Sequence, residues 1–127
     1  MIRVLVIDDD PVVRLLLQRS LEFEGFDVVA AEDGSRGLLE VRDGSADVVV
    51  LDLMMPNVDG FEVLAQLGTI GWIGVPPVVV LTALSDAAVG ARCYELGAAV
   101  VMTKPFDPST LATEVARLAA THDQARA

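Results

Sequence analysis

The chain is short and strongly acidic, with 127 residues and a formal net charge of −10. This length suits a single domain with a substantial core, and the charge argues against direct binding of nucleic acid by the domain. No apolar run approaches the ~20 residues needed to span a bilayer, and we expect no signal peptide because the amino terminus opens directly into a strand pattern. The single cysteine, Cys93, cannot form an internal disulfide, so we expect a cytoplasmic protein.

Five strand patterns alternate with five helical patterns along the chain. Asp10 precedes Pro11 as an N-cap of the first helix, Gly25 and Gly44 end the first and second helices, and Ser85 is expected to cap the fourth. The strands are predicted at residues 3–7, 26–31, 47–51, 77–81 and 99–102, and the helices at residues 11–24, 35–42, 60–67, 85–96 and from 108 onward. This alternation predicts an α/β fold with a parallel sheet and helices on both of its faces. We expect the domain to cover residues 1–120 and the tail, residues 121–127, to fray.

The third strand ends in the stretch around which we expect the fold to be organised. Residues 48–51 form a continuous apolar run, which is typical of a strand buried on both faces of a parallel sheet. Asp52 follows directly and lies at the carboxyl end of this central strand, where open α/β sheets bind ligands. Because an isolated buried charge is costly, Asp52 needs partners from elsewhere in the chain.

Polar side chains follow four of the predicted strands, and the carboxyl ends of parallel strands share one edge of the sheet. They are Asp8, Asp9, Asp52, Thr82 and Lys104. Three carboxylates within a few ångströms would raise one another's pKa values. A divalent cation removes this conflict, and oxygen ligands without His or Cys indicate a hard ion such as Mg²⁺. Lys104 and Thr82 suit the equatorial oxygens of a transferring phosphoryl group, with Asp52 as the nucleophile.

Four motifs make the chain resemble the receiver domain of two-component response regulators over about residues 2–120. They lie at residues 4–11 (VLVIDDDP), 51–61 (LDLMMPNVDGF), 81–83 (LTA) and 104–106 (KPF). The resemblance implies a flavodoxin-like (βα)5 fold, a doubly wound parallel sheet with strand order 2-1-3-4-5. It also implies a phosphoacceptor signalling domain that switches the conformation of its output face when it is phosphorylated.

The resemblance implies roles for the residues that touch the phosphoryl group. Asp52 would accept this group from a phosphohistidine on a sensor histidine kinase or a phosphotransfer protein. Thr82 would donate a hydrogen bond to it, and Lys104 would pair with its charge. The bond between Lys104 and Pro105 is typically cis in this family, so we expect a cis bond here. Such a domain is not an enzyme acting on an external substrate, although it assists its own phosphorylation and dephosphorylation.

The resemblance also implies a Mg²⁺ site beside the phosphoacceptor. Asp9 and Asp52 would bind the ion directly, together with the backbone carbonyl of Met54. Asp8 would act mainly through a metal-bound water.

One position departs from the family pattern. Three residues before Lys104 the family commonly has a tyrosine or phenylalanine whose ring moves with the threonine, and this chain has Val101 there. The phosphorylation chemistry is unaffected, but the usual aromatic switch is in question. The fourth helix, fifth strand and fifth helix form the expected output face, and a homodimer could form through it.

Two other interpretations remain open. A Mg²⁺-dependent phosphatase of the haloacid dehalogenase type also uses an aspartyl nucleophile, but it needs a second acid two residues later, where this chain has Met54. A receiver-like docking module that is never phosphorylated usually lacks part of the acid, threonine and lysine set, and this chain has all of it. The cognate kinase, the pathway, the oligomeric state and any effector domain beyond Ala127 have no signal in the sequence.

Overall fold

The strands that carry the apolar runs pair into one parallel sheet. The computed structural model describes residues 1–55, 58–69, 76–83 and 86–126. The strands of the sheet are β1 (Arg3–Ile7), β2 (Asp27–Ala31), β3 (Val48–Asp52), β4 (Val78–Thr82) and β5 (Val100–Thr103). Their order is β2-β1-β3-β4-β5, and each neighbouring pair is parallel. The doubly wound, flavodoxin-like fold that the sequence predicts is confirmed.

Helices cover both faces of the sheet and give it two hydrophobic cores. They are α1 (Pro11–Phe23), α2 (Gly34–Asp43), α3 (Gly60–Thr69), α4 (Ala87–Glu95) and α5 (Pro108–Arg126). The core on one face lies under α2, α3 and α4 and takes Val49 and Leu51 from β3. The core on the other face lies under α1 and α5 and takes Val48 and Val50. The central strand is therefore buried on both faces, as its apolar run predicts.

The register of the sheet aligns the carboxyl ends of its strands. Ile7, the last residue of β1, lies opposite Leu51 in β3. Asp52 ends β3 and lies opposite Leu81, the residue before the end of β4 at Thr82. The polar residues at and after these strand ends therefore share one edge of the sheet.

The ends of α1 and α2 follow the capping residues that the sequence predicts. The Asp10 carboxylate accepts a hydrogen bond from the backbone N–H of Val12 at 2.9 Å, and Pro11 begins α1. Gly44 follows α2 with a φ of 81°, a left-handed conformation that glycine adopts without strain.

The prediction that Ser85 caps α4 is wrong. The helix begins at Ala87 and its N-cap is Asp86, whose carboxylate accepts a hydrogen bond from the backbone N–H of Ala88 at 2.8 Å. Aspartate caps helices as well as serine does, and its charge also interacts favourably with the helix dipole. Ser85 itself lies outside the described residues.

Helix α5 continues through Arg126, where the sequence predicts a frayed tail. The domain boundary at residue 120 stays a prediction. No helix within the described ranges is both long and apolar enough to cross a lipid bilayer.

Helix α3 begins at a glycine that packs against the residue after Asp52. A Cβ atom on Gly60 would overlap the carbonyl oxygen of Leu53 and lie 2.7 Å from its Cα atom. These are backbone atoms, which cannot rotate away as the end of a side chain can. Gly90 in α4 is the opposite case, because a Cβ atom there would have nothing within 4 Å.

We expect Gly60→Ala to lower the free energy of unfolding by roughly 1–3 kcal/mol, because the added methyl group displaces the backbone of Leu53. Gly90→Ala is the matched control and should raise it by about 0.5–1 kcal/mol, since alanine is the better residue inside a helix. Urea unfolding followed by circular dichroism measures both changes. Effects of the same sign would show that the close approach at Gly60 does not limit stability.

Candidate functional site

Asp52 is a buried carboxylate held by a lysine from a distant part of the chain. Its exposed fraction is 3%, and Lys104 Nζ donates a hydrogen bond to Asp52 Oδ2 at 3.0 Å. Lys104 follows β5 directly, and its backbone N–H donates to the carbonyl of Thr82 at 2.7 Å. The Lys104 side chain keeps 25% of its surface exposed, so the site is open to solvent on the lysine side.

Asp8 is the second buried carboxylate of the site. Its backbone N–H donates to the carbonyl of Ala31 at 3.1 Å, and its Oδ1 atom accepts from the backbone N–H of Asp10 at 2.9 Å. Its Oδ2 atom is buried and has no hydrogen-bond partner among the described residues. The pKa of Asp8 is raised to about 7, chiefly by burial and further by the Asp52 carboxylate, against the opposing effects of the Asp10 N–H and the Lys104 ammonium.

Two further predicted features occur at the same edge. Thr82 is fully buried at the end of β4, next to the residue that pairs with Asp52 in the sheet register. The Lys104–Pro105 peptide bond is cis, as the family resemblance predicts.

The described residues do not bring three carboxylates together. Within them, no three His, Cys, Asp or Glu side chains group closely enough to hold a metal ion. Asp8 and Asp52 influence each other's charge, but Asp9 does not join them as a third member, and its place in a metal site stays a prediction. Met54 lies in a short antiparallel ladder, Met54–Met55 with Val58–Asp59, that follows β3. The role of its backbone carbonyl also stays a prediction.

Arg14 is a site residue that the sequence analysis missed. Its Nη1 atom donates a hydrogen bond to the backbone carbonyl of Asp8 at 2.9 Å. Arg14 lies one helical turn after the N-cap Asp10, and side chains on a helix lean towards its amino terminus, so the guanidinium can reach back over the β1–α1 loop. This spacing is visible in the sequence, but an arginine in an amphipathic helix is usually solvated, and nothing in the pattern marks it as different.

The three side chains of Asp8, Asp52 and Lys104 define the chemistry of the site. With both acids ionised, two buried carboxylates share a single ammonium, which favours either proton uptake by Asp8 or a bound cation. The Asp8 Oδ2 atom, which lacks a hydrogen-bond partner among the described residues, and an all-oxygen donor set fit a hard cation such as Mg²⁺. Asp52, held in one orientation by Lys104, can act as a nucleophile.

Sequence comparison finds the same family for most of the chain. The family model of the response regulator receiver domain matches residues 4–116. The response regulator MprA of a Mycobacterium species (strain KMS) is 42% identical over 105 residues, which cover 83% of this chain and 45% of that protein. The alkaline phosphatase synthesis transcriptional regulatory protein PhoP of Bacillus subtilis is 40% identical over 106 residues, 84% of this chain and 43% of that protein. The chain thus spans less than half the length of these two curated relatives.

Structural comparison agrees with the sequence comparison. The Francisella response regulator 1452 receiver domain matches with a TM-score of 0.86 and 30% identity, covering 95% of this chain and 98% of that chain. The chemotaxis protein CheY4 of Vibrio cholerae matches with a TM-score of 0.84 and 28% identity, covering 93% of this chain and 98% of that chain. The family model, the sequence relatives and the solved structures agree over most of the chain, which therefore belongs to the response regulator receiver domains of two-component signalling.

Proposed function

We propose that this receiver domain takes a phosphoryl group onto Asp52 from a phosphohistidine of a sensor histidine kinase or a phosphotransfer protein. The phosphorus–nitrogen bond of the donor breaks, its electron pair stays on the imidazole, and a phosphorus–oxygen bond to Asp52 forms. The observation that carries this proposal is the buried Asp52 carboxylate, held by Lys104 at 3.0 Å beside the unpartnered oxygen of Asp8.

Asp52, Thr82 and Lys104 would act directly on the phosphoryl group. Burial and the ion pair with Lys104 hold the Asp52 carboxylate in one orientation, so little entropy is lost on attack. Lys104 Nζ would pair with a phosphoryl oxygen, and the Thr82 hydroxyl would donate to another. Both contacts place positive charge or a donor where negative charge is spread in the transition state.

Mg²⁺ is the cation that we propose for the site. Asp9, Asp52 and the backbone carbonyl of Met54 would bind it, and Asp8 Oδ2 would accept a hydrogen bond from a metal-bound water. When bound, the ion supplies charge neutralisation between the carboxylates and the incoming phosphoryl oxygens. The fit rests on oxygen donors alone and on the buried Asp8 oxygen that lacks a partner among the described residues.

An apolar surface suited to the phosphodonor lies on α1, beside Lys104. Val12, Leu15 and Leu16 are each more than half exposed, and Leu16 also lines a cavity of about 260 Å³ that reaches the lysine. The residues lining this cavity are Val13, Leu16, Ser20, Lys104, Pro105, Phe106 and Pro108. Clustered large apolar side chains on a surface mark interaction sites. A donor protein covering α1 would bring its phosphohistidine to the open side of the site.

We propose α4 as the element that responds to phosphorylation. Tyr94 Oη accepts a hydrogen bond from the backbone N–H of Val101 at 3.1 Å. The Arg92 guanidinium lies 4.1 Å from the centre of the Phe61 ring in α3, and Cys93 between them is fully buried. Three consecutive residues thus attach a helix that is otherwise rich in alanine to α3, to the hydrophobic core and to β5. A shift of the loop after β4 on phosphorylation would change this attachment.

The direct partners that we propose are proteins. A net charge of −10 opposes contact with nucleic acid or an anionic membrane surface, and the cytoplasm is where we expect this domain to meet its kinase. A homodimer through α4, β5 and α5 stays a prediction.

Acetyl phosphate should label Asp52 with a single phosphoryl group, and only when Mg²⁺ is present, because the uncompensated acids repel a dianion. Asp52→Asn should reduce labelling to background, whereas Asp43→Asn, which changes an exposed acid in the same way, should label as the wild type does. Intact mass spectrometry measures the label.

Full labelling of Asp52→Asn would contradict the assignment of the phosphoacceptor. No labelling of the wild type with Mg²⁺ would support the docking module instead. Turnover of an external phosphate ester would support the phosphatase.

Asp8 should make the metal-free domain less stable as the pH rises. The pKa of Asp8 is about 7 in the folded chain against an ordinary value of 3.8. Between these two pH values, the folded state holds a proton on Asp8 that the unfolded state has lost. The contribution of Asp8 to the free energy of unfolding should therefore fall across the window by on the order of 2–4 kcal/mol.

Urea unfolding of the wild type and of Asp8→Asn, both in EDTA, isolates this contribution. The stability that Asp8→Asn gains over the wild type should grow from about pH 4 to about pH 7, because the asparagine stays neutral. Mg²⁺ should stabilise the wild type more at the higher pH, where it does not compete with the proton. A stability difference that does not change with pH would show that Asp8 stays ionised when folded.

Tyr94→Phe should loosen α4, because it removes the acceptor of the Val101 N–H. We expect amide hydrogen exchange at Val101 and in α4 to speed up by up to about tenfold, whereas Gly90→Ala should slow exchange in α4. In the wild type, the phosphate mimic beryllofluoride should change exchange most in α4, and both substitutions should shrink that change. Identical α4 exchange with and without the mimic, alongside changes elsewhere, would exclude α4 as the responding element.

A further inference from the structure

We infer that Arg14 is a positioning residue for the cation site, acting through the backbone of Asp8. This inference rests on the proposed function, because it concerns the cation that the phosphotransfer requires. The contact through which Arg14 acts is the hydrogen bond from its Nη1 atom to the backbone carbonyl of Asp8. Its effect would come from how it holds the loop that carries Asp8 and Asp9.

Every polar group of Asp8 except one is held in place. The backbone N–H donates to Ala31 at 3.1 Å, the Oδ1 atom accepts from Asp10 at 2.9 Å, and the backbone carbonyl accepts from Arg14 Nη1 at 2.9 Å. The Oδ2 atom remains, buried and without a hydrogen-bond partner in the described part of the chain. The first two contacts come from backbone groups of the fold, so Arg14 is the side chain that completes the set.

The contact at the carbonyl also orients the following residue. A trans peptide group is planar, with its C=O and N–H pointing in opposite directions. Holding the Asp8 carbonyl towards α1 therefore fixes the direction of the Asp9 N–H and limits the positions open to the Asp9 side chain. One hydrogen bond from Arg14 thus acts on both acids of the loop.

The position of Arg14 in the first turn of α1 brings its side chain within reach of the Asp8 carbonyl. Its backbone N–H donates to the carbonyl of Asp10 at 2.9 Å, so the residue belongs to the first turn after the N-cap. The bond to Asp8 is partly buried, and a guanidinium presents fixed planar donors, so water replaces this contact poorly. A lysine has the same charge, but its ammonium ends one bond earlier than the Nη1 atom that makes this contact.

Arg14 could influence a cation in two opposite ways, and the experiment separates them. Its positive charge repels a nearby cation, so removing the charge alone would tighten Mg²⁺ binding. Its hold on the Asp8 carbonyl preorganises the ligands, so removing the contact would weaken Mg²⁺ binding. We infer that the second effect dominates, because Arg14 is only half-buried, so that water and salt screen its charge, whereas its hydrogen bond acts directly on the Asp8 backbone.

The test is isothermal titration of the full chain with MgCl₂ for the wild type, Arg14→Lys, Arg14→Met and the control Arg19→Met. Arg14→Lys keeps the charge but shortens the side chain by one bond, so its ammonium should not reach the Asp8 carbonyl, whereas Arg14→Met loses both the charge and the donor. Arg19→Met removes the same charge from an exposed position on the same helix. Both Arg14 variants should raise the Kd for Mg²⁺ about tenfold, and the control should change it by less than about twofold. At saturating Mg²⁺, the rate of labelling by acetyl phosphate should return to near the wild-type rate in both Arg14 variants.

Three results would overturn the inference or its basis. An unchanged Kd in both Arg14 variants would show that the contact has no bearing on the cation. Tighter binding in Arg14→Met with no change in Arg14→Lys would show that the charge, and not the contact, matters. A wild type that binds no Mg²⁺ would instead overturn the proposed function. Because the two Arg14 variants are read independently, either one suffices if the other does not fold.

Discussion

The site depends on the cost of keeping the Asp52 carboxylate out of water. A charge at the end of a strand buried on both faces must be compensated by groups that the fold brings from elsewhere. Lys104 provides this compensation at 3.0 Å, and it can do so only because β4 lies between β3 and β5 and holds the Lys104 backbone through the Thr82 carbonyl. The strand order is thus a condition for the ion pair, and the ion pair gives Asp52 a single orientation.

The negative charge of the two buried acids is only partly compensated, and we propose that this imbalance favours the binding of a cation. Lys104 balances one acid, while Asp8 stays fully buried, with a pKa raised to about 7 and an Oδ2 atom that has no hydrogen-bond partner in the described part of the chain. Sites that keep such an imbalance trade stability for function. The fold fixes the backbone of Asp8 firmly enough that the imbalance is located at one atom.

The hydrophobic patterns along the chain predicted the fold well. Single contacts between helices, strands and loops could not be predicted from the sequence. The apolar run of residues 48–51 predicted a doubly buried strand, since burial on both faces leaves no alternation. The run did not show that Asp52 belongs to the strand, because the ladder of backbone hydrogen bonds continues regardless of side-chain polarity. Asp86 and Ser85 are adjacent and equally suited to capping, so sequence could not choose between them. Arg14 was missed because a side chain that bonds to a distant carbonyl leaves no periodic signal.

Val101 shows how a departure from the family pattern can be understood only from the structure. The sequence shows a small β-branched residue where an aromatic ring is usual, and it does not indicate which other residue could take the place of that ring. In the fold, Tyr94 of α4 brings a phenol ring to the backbone of Val101 from outside the sheet. β5 then makes contacts in two directions, to Asp52 through Lys104 immediately after its end and to α4 through Val101. A force on Lys104 from a phosphoryl group would act on the same short strand that holds Tyr94. We propose that β5, together with the loop after β4, would connect the site with α4 without a ring that changes rotamer.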